Sequence, residues 1–227
     1  VSRRAKYILV ALDSGQTLLL HLGMSGRIIL SHENTPLQKH DHISLDFDNG
    51  IHARFNDPRR FGYCGLVPTE KLGGYKLLRA LGIEPLSPGF TSAKLAALLK
   101  GKNTSIKAAL LDQRLVVGIG NIYACEALFR ARLSPKRRAG SLKPEEIKKL
   151  APAIRAVLNA AIEAGGSSLR DYRQADGELG YFQHHFAVYD REGQRCPGCD
   201  CNVKKTGGIK RITQQGRSTF YCPVKQK

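Results

Sequence analysis

The chain has 227 residues, with 36 Lys and Arg against 19 Asp and Glu, for a net charge of +17. An apolar content of 42% is that of a folded protein and excludes disorder as the default. A charge of this sign points to a polyanionic partner, most simply nucleic acid, and no apolar run reaches the roughly 18 residues of a membrane span.

Up to about Pro68 the pattern is that of a sheet. Tyr7 to Leu12 and Thr17 to Leu22 are apolar runs joined by the turn signal Asp13-Ser14-Gly15-Gln16. Ile43, Leu45 and Phe47 alternate with polar residues, Asp48-Asn49-Gly50 turns the chain, and Ile51, Ala53 and Phe55 alternate again. From about Leu78 the period becomes helical, with Pro85, Pro88 and Gly89 marking a linker. Thr91 is placed to cap a helix through Leu99, and Ser105 to open a second that carries Leu110, Leu111 and Leu115. A third is expected to open at Asn121 as its N-cap. Ser141 to Glu146 then begins a long helix with Ile147, Leu150, Ile154, Val157, Leu158 and Ala161 on one face, stopped by Gly165-Gly166. Pro152 inside it is tolerable only near a bend.

Four groups of residues carry chemistry. Gly118-Ile119-Gly120-Asn121 puts a glycine turn before a helix N-terminus, where orphan amides and the helix dipole favour phosphate. Asp57-Pro58-Arg59-Arg60-Phe61-Gly62 sets arginines beside an aromatic on a turn after a strand; such a turn is either a packed corner or a wedge for a vacated base stack. His21-Leu22-Gly23-Met24-Ser25-Gly26 holds the only methionine between glycines. Finally, four of the six cysteines (Cys196, Cys199, Cys201 and Cys222) crowd into the last 32 residues around a basic hairpin, which favours zinc over disulfides in a reducing, cytoplasmic setting. Two C-x2-C knuckles would place the last ligand at Lys225, so either Cys201 completes the set or the centre is weakened or empty. Cys64 and Cys125 sit in apolar contexts and are expected to be buried, inert thiols.

Taken in order, HLGMSG, KHDH, DPRRFG, LVVGIGNIYACEALF, GYF and the terminal CxxC…GRSTFYCP resemble bacterial formamidopyrimidine-DNA glycosylase over essentially the whole chain. The resemblance implies an α+β multidomain fold: part of an N-terminal β-sandwich over 1–84, a helix–two-turn–helix domain with a lesion-recognition loop over 85–189, and a zinc-finger hairpin over 190–227. It implies excision of oxidised purines such as 8-oxoguanine and formamidopyrimidines, with strand cleavage at the abasic site by β,δ-elimination. It also places Lys6 as a proton donor in β-elimination and Arg217 in δ-elimination. Met24, Arg59 and Phe61 are implied to fill the void left by the flipped base. His21, His40 and Lys102 are implied to contact DNA, and Lys107 and Asn121 to contact phosphate. Residues from Arg170 to Tyr181 are implied to form a lid over the everted base. The partner is then duplex DNA containing oxidised purines or abasic sites, bound by a monomer with one structural zinc. The family's nucleophile is an N-terminal proline beside a glutamate, whereas this chain starts Val1-Ser2. The chain is accordingly expected to be a fragment that binds DNA without excising bases, the alternative being a non-catalytic binder of damaged DNA. A ribosomal or RNA-binding protein would have no use for DPRRFG.

Overall fold

Period-two alternation makes each of the first strands two-faced, and an apolar face must be covered by another layer. The computed structural model describes residues 1–32, 35–167 and 180–227. It places β1 (Ser2–Arg4), β2 (Tyr7–Ala11), β3 (Gln16–His21), β4 (Arg27–Ser31), β5 (Asp41–Asp46), β6 (His52–Asn56) and β7 (Tyr63–Pro68) in two antiparallel sheets. One sheet has the order β1-β2-β3-β7 and the other β4-β6-β5. Leu19 and Val67 from the first sheet and Ala53 and Phe55 from the second are buried, so both sheets contribute a core face. The expected hairpin at Asp48-Asn49-Gly50 is present, with Gly50 at φ 78° and Phe47 N–H donating to Ile51 O.

Register decides which loops meet. Arg4 pairs with Tyr7, Tyr7 with His21, and His21 with Tyr63. In the other sheet Arg27 pairs with Asn56, and Asn56 with Asp41. The turn at Ala5-Lys6, the β3–β4 loop, the β6–β7 loop and the approach to β5 at His40 therefore leave the sheets at a single end.

The helical part opens as the capping residues dictate. Thr91 Oγ1 accepts from Lys94 N–H at the start of α1 (Ser92–Leu99), and Ser105 Oγ from Ala108 N–H at the start of α2 (Ile106–Leu111). α2 is shorter than expected and does not reach Leu115, because the chain leaves the helix at Asp112 to lay Val116 beside Ile83 in a parallel bridge. α3 (Asn121–Arg130) follows, then α4 (Pro144–Glu163), which starts on a proline whose missing N–H is no loss. Pro152 lies on the exposed side of α4, so the carbonyl it leaves without a donor faces water. A short α5 (Val203–Thr206) precedes the hairpin β8 (Lys210–Gln214) and β9 (Arg217–Tyr221). Among the described residues no helix is long and apolar enough to cross a membrane.

Two compact units emerge, Val1–Arg79 with Ala161–His184, and Ala80–Ala160 with His185–Lys227. The first unit ends at Arg79, ahead of the linker prolines, because Gly82 and Ile83 donate to Gln113 O and Leu115 O of the second. The second unit holds both the helices and the finger hairpin. A cluster of Cys125 and Phe129 from α3 with Val188, Cys196, Cys201, Ile209, Phe220 and Cys222 gives the two a common core. Glu126, 5% exposed, ties the intervening segment down: its carboxylate accepts from the N–H groups of Ala187, Val188 and Tyr189 at 2.8–2.9 Å. Glu126→Ala would leave three N–H groups without their acceptor, that of Val188 buried, and is expected to destabilise this unit by about 3 kcal/mol, read as a lowered urea midpoint at unchanged slope.

Candidate nucleic-acid interface

At the loop end of the sandwich the central residue is Asp57, 1% exposed. Its Oδ1 accepts from Ser25 Oγ at 2.7 Å and its Oδ2 from Gly62 N–H at 2.7 Å. Ser25 Oγ in turn accepts from Arg59 N–H at 3.2 Å. The Asp57 main chain donates to His40 O and accepts from His42 Nε2. Burial would raise the Asp57 carboxyl, but the hydrogen bonds from Ser25, Gly62, Arg59 and Arg60 outweigh it and hold the group below its ordinary range. Close backbone approach locks the same pair of loops. Gly23, at φ 68°, lies so near the other loop that a Cβ would fall 2.6 Å from the Phe61 carbonyl carbon.

With the backbone fixed, three side chains stand out from it. Met24 is 67% exposed and Phe61 57% exposed, and the Arg59 guanidinium sits 4.9 Å from the centroid of the Phe61 ring. Large apolar side chains held in water by a rigid scaffold, next to a cation, are the requirement for a wedge in a base stack. The packed-corner alternative for Phe61 fails, since the ring is not in the core.

Lys6 occupies the exposed tip of the β1–β2 turn, where Ala5 takes φ 53°. Its strand neighbour Tyr7 pairs with His21, the rings 4.9 Å apart. Gly23 N–H donates to His21 Nδ1 at 3.0 Å, which fixes the neutral tautomer protonated on Nε2. Burial and the Lys6 charge both lower the His21 pKa, so the ring stays neutral. His40 is half-buried, and its carbonyl accepts from Asp57 N–H at 3.0 Å.

In the second unit Lys102 and Arg217 are exposed and line a cavity of about 540 Å³ together with Asp112, Arg114 and Gln215. Arg217 opens β9 after the turn Gln215-Gly216, both residues at positive φ. Lys107 and Asn121, the two residues expected at phosphate, make hydrogen bonds within the protein. Lys107 is 1% exposed, and its Nζ donates to Ser218 O at 3.1 Å and Thr219 Oγ1 at 2.7 Å. Asn121 Nδ2 also donates to Ser218 O, at 2.9 Å, and to Tyr189 OH. These donors are spent on the strand that carries Arg217. Burial lowers the Lys107 pKa, Cys125 raises it and Arg217 lowers it. Nor is Asn121 the N-cap of α3: Gly120 is, and Gly118 N–H donates to Gln113 Oε1, so the glycine turn is less bare than its sequence implies.

The four clustered cysteines converge. Their Sγ atoms all lie within 4.8 Å of one another, with Cys196–Cys201 and Cys199–Cys222 each at 3.9 Å. That is too long for disulfides, which need about 2.05 Å, and close to the ~3.8 Å edge of a tetrahedron built on 2.3 Å metal–sulfur bonds. Cys201 therefore lies within a cluster of four thiols that could hold a metal ion. Of the remaining thiols, Cys125 is buried as expected and Cys64 only half so, and burial pushes both pKa values up.

Sequence reading missed Asp57 and Glu126 as organisers. The only available signal was a carboxylate placed in an otherwise glycine-rich or apolar run. Most of the lid from Arg170 to Tyr181 lies outside the described residues; Tyr181 is 53% exposed and stacks on His184.

Two family profiles match the chain: the formamidopyrimidine-DNA glycosylase N-terminal domain over residues 1–64 and the H2TH domain of the same enzyme over 81–173. The formamidopyrimidine-DNA glycosylase of Cereibacter sphaeroides is 56% identical over 235 residues, covering 99% of this chain and 81% of the relative. The crystal structure of the MutM (Fpg) protein of Thermus thermophilus superposes with a TM-score of 0.88 at 45% identity, covering 99% of this chain and 81% of that one. The Lactococcus lactis Fpg in complex with abasic-site DNA gives a TM-score of 0.89 at 34% identity, covering 100% and 80%. With both profiles met in order and over half its residues shared with a relative along nearly its whole length, the chain belongs to the formamidopyrimidine-DNA glycosylase family.

Proposed function

We propose that this chain is the DNA-engaging body of a base-excision repair DNA glycosylase and AP lyase that acts on oxidised purines and abasic sites in duplex DNA. The observation that carries this reading is the exposure of Met24, Arg59 and Phe61 on loops that Asp57 holds still. A damaged base must leave the stack before its glycosidic bond is reachable, and something must occupy the gap. The Phe61 ring and the Met24 thioether supply stacking surface, while the Arg59 guanidinium can donate to the edge of the widowed base.

Lys6 of the first unit and Arg217 of the second are each assigned to the phosphates that depart in elimination. In β-elimination the C2′ proton is lost to water, the C2′–C3′ double bond forms as the C3′–O bond breaks, and Lys6 donates a proton to the departing 3′ phosphate. Arg217 grips phosphate for the second, δ-elimination. His21, His40 and Lys102 are assigned to positioning the backbone, and Lys107 and Asn121 to holding β9 so that Arg217 presents its guanidinium. In functional terms the chain divides at about residues 84 and 189 into sandwich, helical and finger parts, acting as a monomer.

We also propose one structural zinc held by Cys196, Cys199, Cys201 and Cys222, on the strength of the tetrahedral sulfur spacing. A reducing, cytoplasmic setting is part of the same proposal, supported by the clustered free thiols and the DNA partner.

Binding rests on phosphate contacts, so affinity for duplex DNA is expected to fall steeply with salt. About six neutralised phosphates give a log–log slope near −5, and a flat response in a titration between low and moderate salt would refute a DNA partner. Phe61→Ala is expected to lose roughly ten-fold in preference for abasic over intact duplex while leaving intact-duplex affinity within about two-fold, since one base-stacking contact contributes about 1–3 kcal/mol. Equal losses on both duplexes would show that Phe61 is not a wedge.

A further inference from the structure

We propose that Lys225 is the cationic outer partner of a relocated four-thiolate centre, pinning the first knuckle from the position where a second C-x2-C would have supplied a ligand. The inference rests on the zinc reading above. Four thiolates around a divalent zinc carry a net charge of −2, and three of these four cysteines are buried, among Val188, Ile209 and Phe220. A desolvated dianion requires donors to sulfur and a nearby cation.

Lys225 provides both. Its main-chain N–H donates to Cys222 Sγ at 3.4 Å. Its ammonium crosses to the other knuckle, donating to Pro197 O at 3.1 Å and Gly198 O at 3.2 Å, the two residues between Cys196 and Cys199. The same ammonium stands 4.5 Å from the centroid of the Phe129 ring. Gly198, at φ 60°, would bring a Cβ within 3.5 Å of that nitrogen. The turn that aims Lys225 is fixed by Gln226, which is 3% exposed. Its Oε1 accepts from Cys222 N–H and its Nε2 donates to Leu133 O, each at 2.8 Å.

Relocation of the ligand is accommodated on the other side of the centre. After Cys201 the chain makes α5, capped by Asn202 and ended at Gly207 in the left-handed region, before joining β8. With this helix between Cys201 and β8, the Cys201 sulfur sits 3.9 Å from that of Cys196. A side chain that could not be a ligand at 225 has become the arm that closes the knuckle, and Cys201 supplies the missing sulfur.

The test measures zinc affinity by competition with a chromophoric chelator, and cobalt(II) ligand-field absorption, on the full chain. Wild type is expected to give a four-thiolate cobalt spectrum, which Cys201→Ser reduces. Lys225→Met should keep the four-thiolate spectrum but bind zinc about 10–100-fold more weakly, with Lys225→Arg recovering most of the loss. Should Lys225→Met fail to fold, Lys225→Gln, which keeps a donor without the charge, carries the same expectation. The exchange Cys201→Ser with Lys225→Cys should restore four thiolates. A wild-type four-thiolate spectrum with Lys225→Met binding zinc within two-fold of wild type would overturn the role of Lys225 alone. A wild type with no cobalt–thiolate absorption would overturn the zinc reading and this one with it.

Discussion

A carboxylate that is 1% exposed has given up its water, and its acceptor oxygens must be satisfied from the protein. Asp57 is satisfied by Ser25 on one loop and by Gly62 on its own, with Arg59 N–H bonded to the same Ser25 hydroxyl. Because unmaking any of these bonds would strand a buried charge, the two loops have one arrangement and not many. Exposed Met24 and Phe61 then become tools: on mobile loops the same side chains would collapse onto the nearest apolar surface. Rigidity beneath and exposure above are two sides of one constraint.

The second unit uses buried polar groups in the same way. Lys107 and Asn121 direct their donors at Ser218 and Thr219, immediately after Arg217, and Glu126 gathers three backbone N–H groups from the segment leading into the finger. Each removes freedom from a strand or segment, and one of these strands opens at Arg217, beside the cavity it lines with Lys102. A strongly positive chain thus keeps some of its cationic groups inside as struts.

Much of this architecture was legible along the chain. Thr91 and Ser105 cap the helices they were expected to cap, and Asn49-Gly50 turns the hairpin it was expected to turn, because capping and turn chemistry act within a few residues. The failures share a cause. Leu115 looked helical and Asn121 looked like a cap, but Leu115 accepts from Ile83, over 30 positions back, and Asn121 donates to Ser218, nearly 100 residues away. The burial of Lys107 has the same cause: nothing local reveals that it bonds to Ser218 and Thr219, more than 100 residues on.

By itself, the sequence determined the sign of the partner's charge, the run of strands followed by helices, and the chemistry available in four thiols, an arginine-bearing turn and a glycine-rich bend. These are properties of residue type and short spacing. Only tertiary structure decided that Cys201 lies in the four-thiol cluster while the Lys225 ammonium bonds to Pro197 and Gly198, that Phe61 is outside the core, and that Asp57 joins two loops 32 residues apart. Each of those depends on strand register and on the pairing of buried polar groups, which only the folded chain brings within reach of one another.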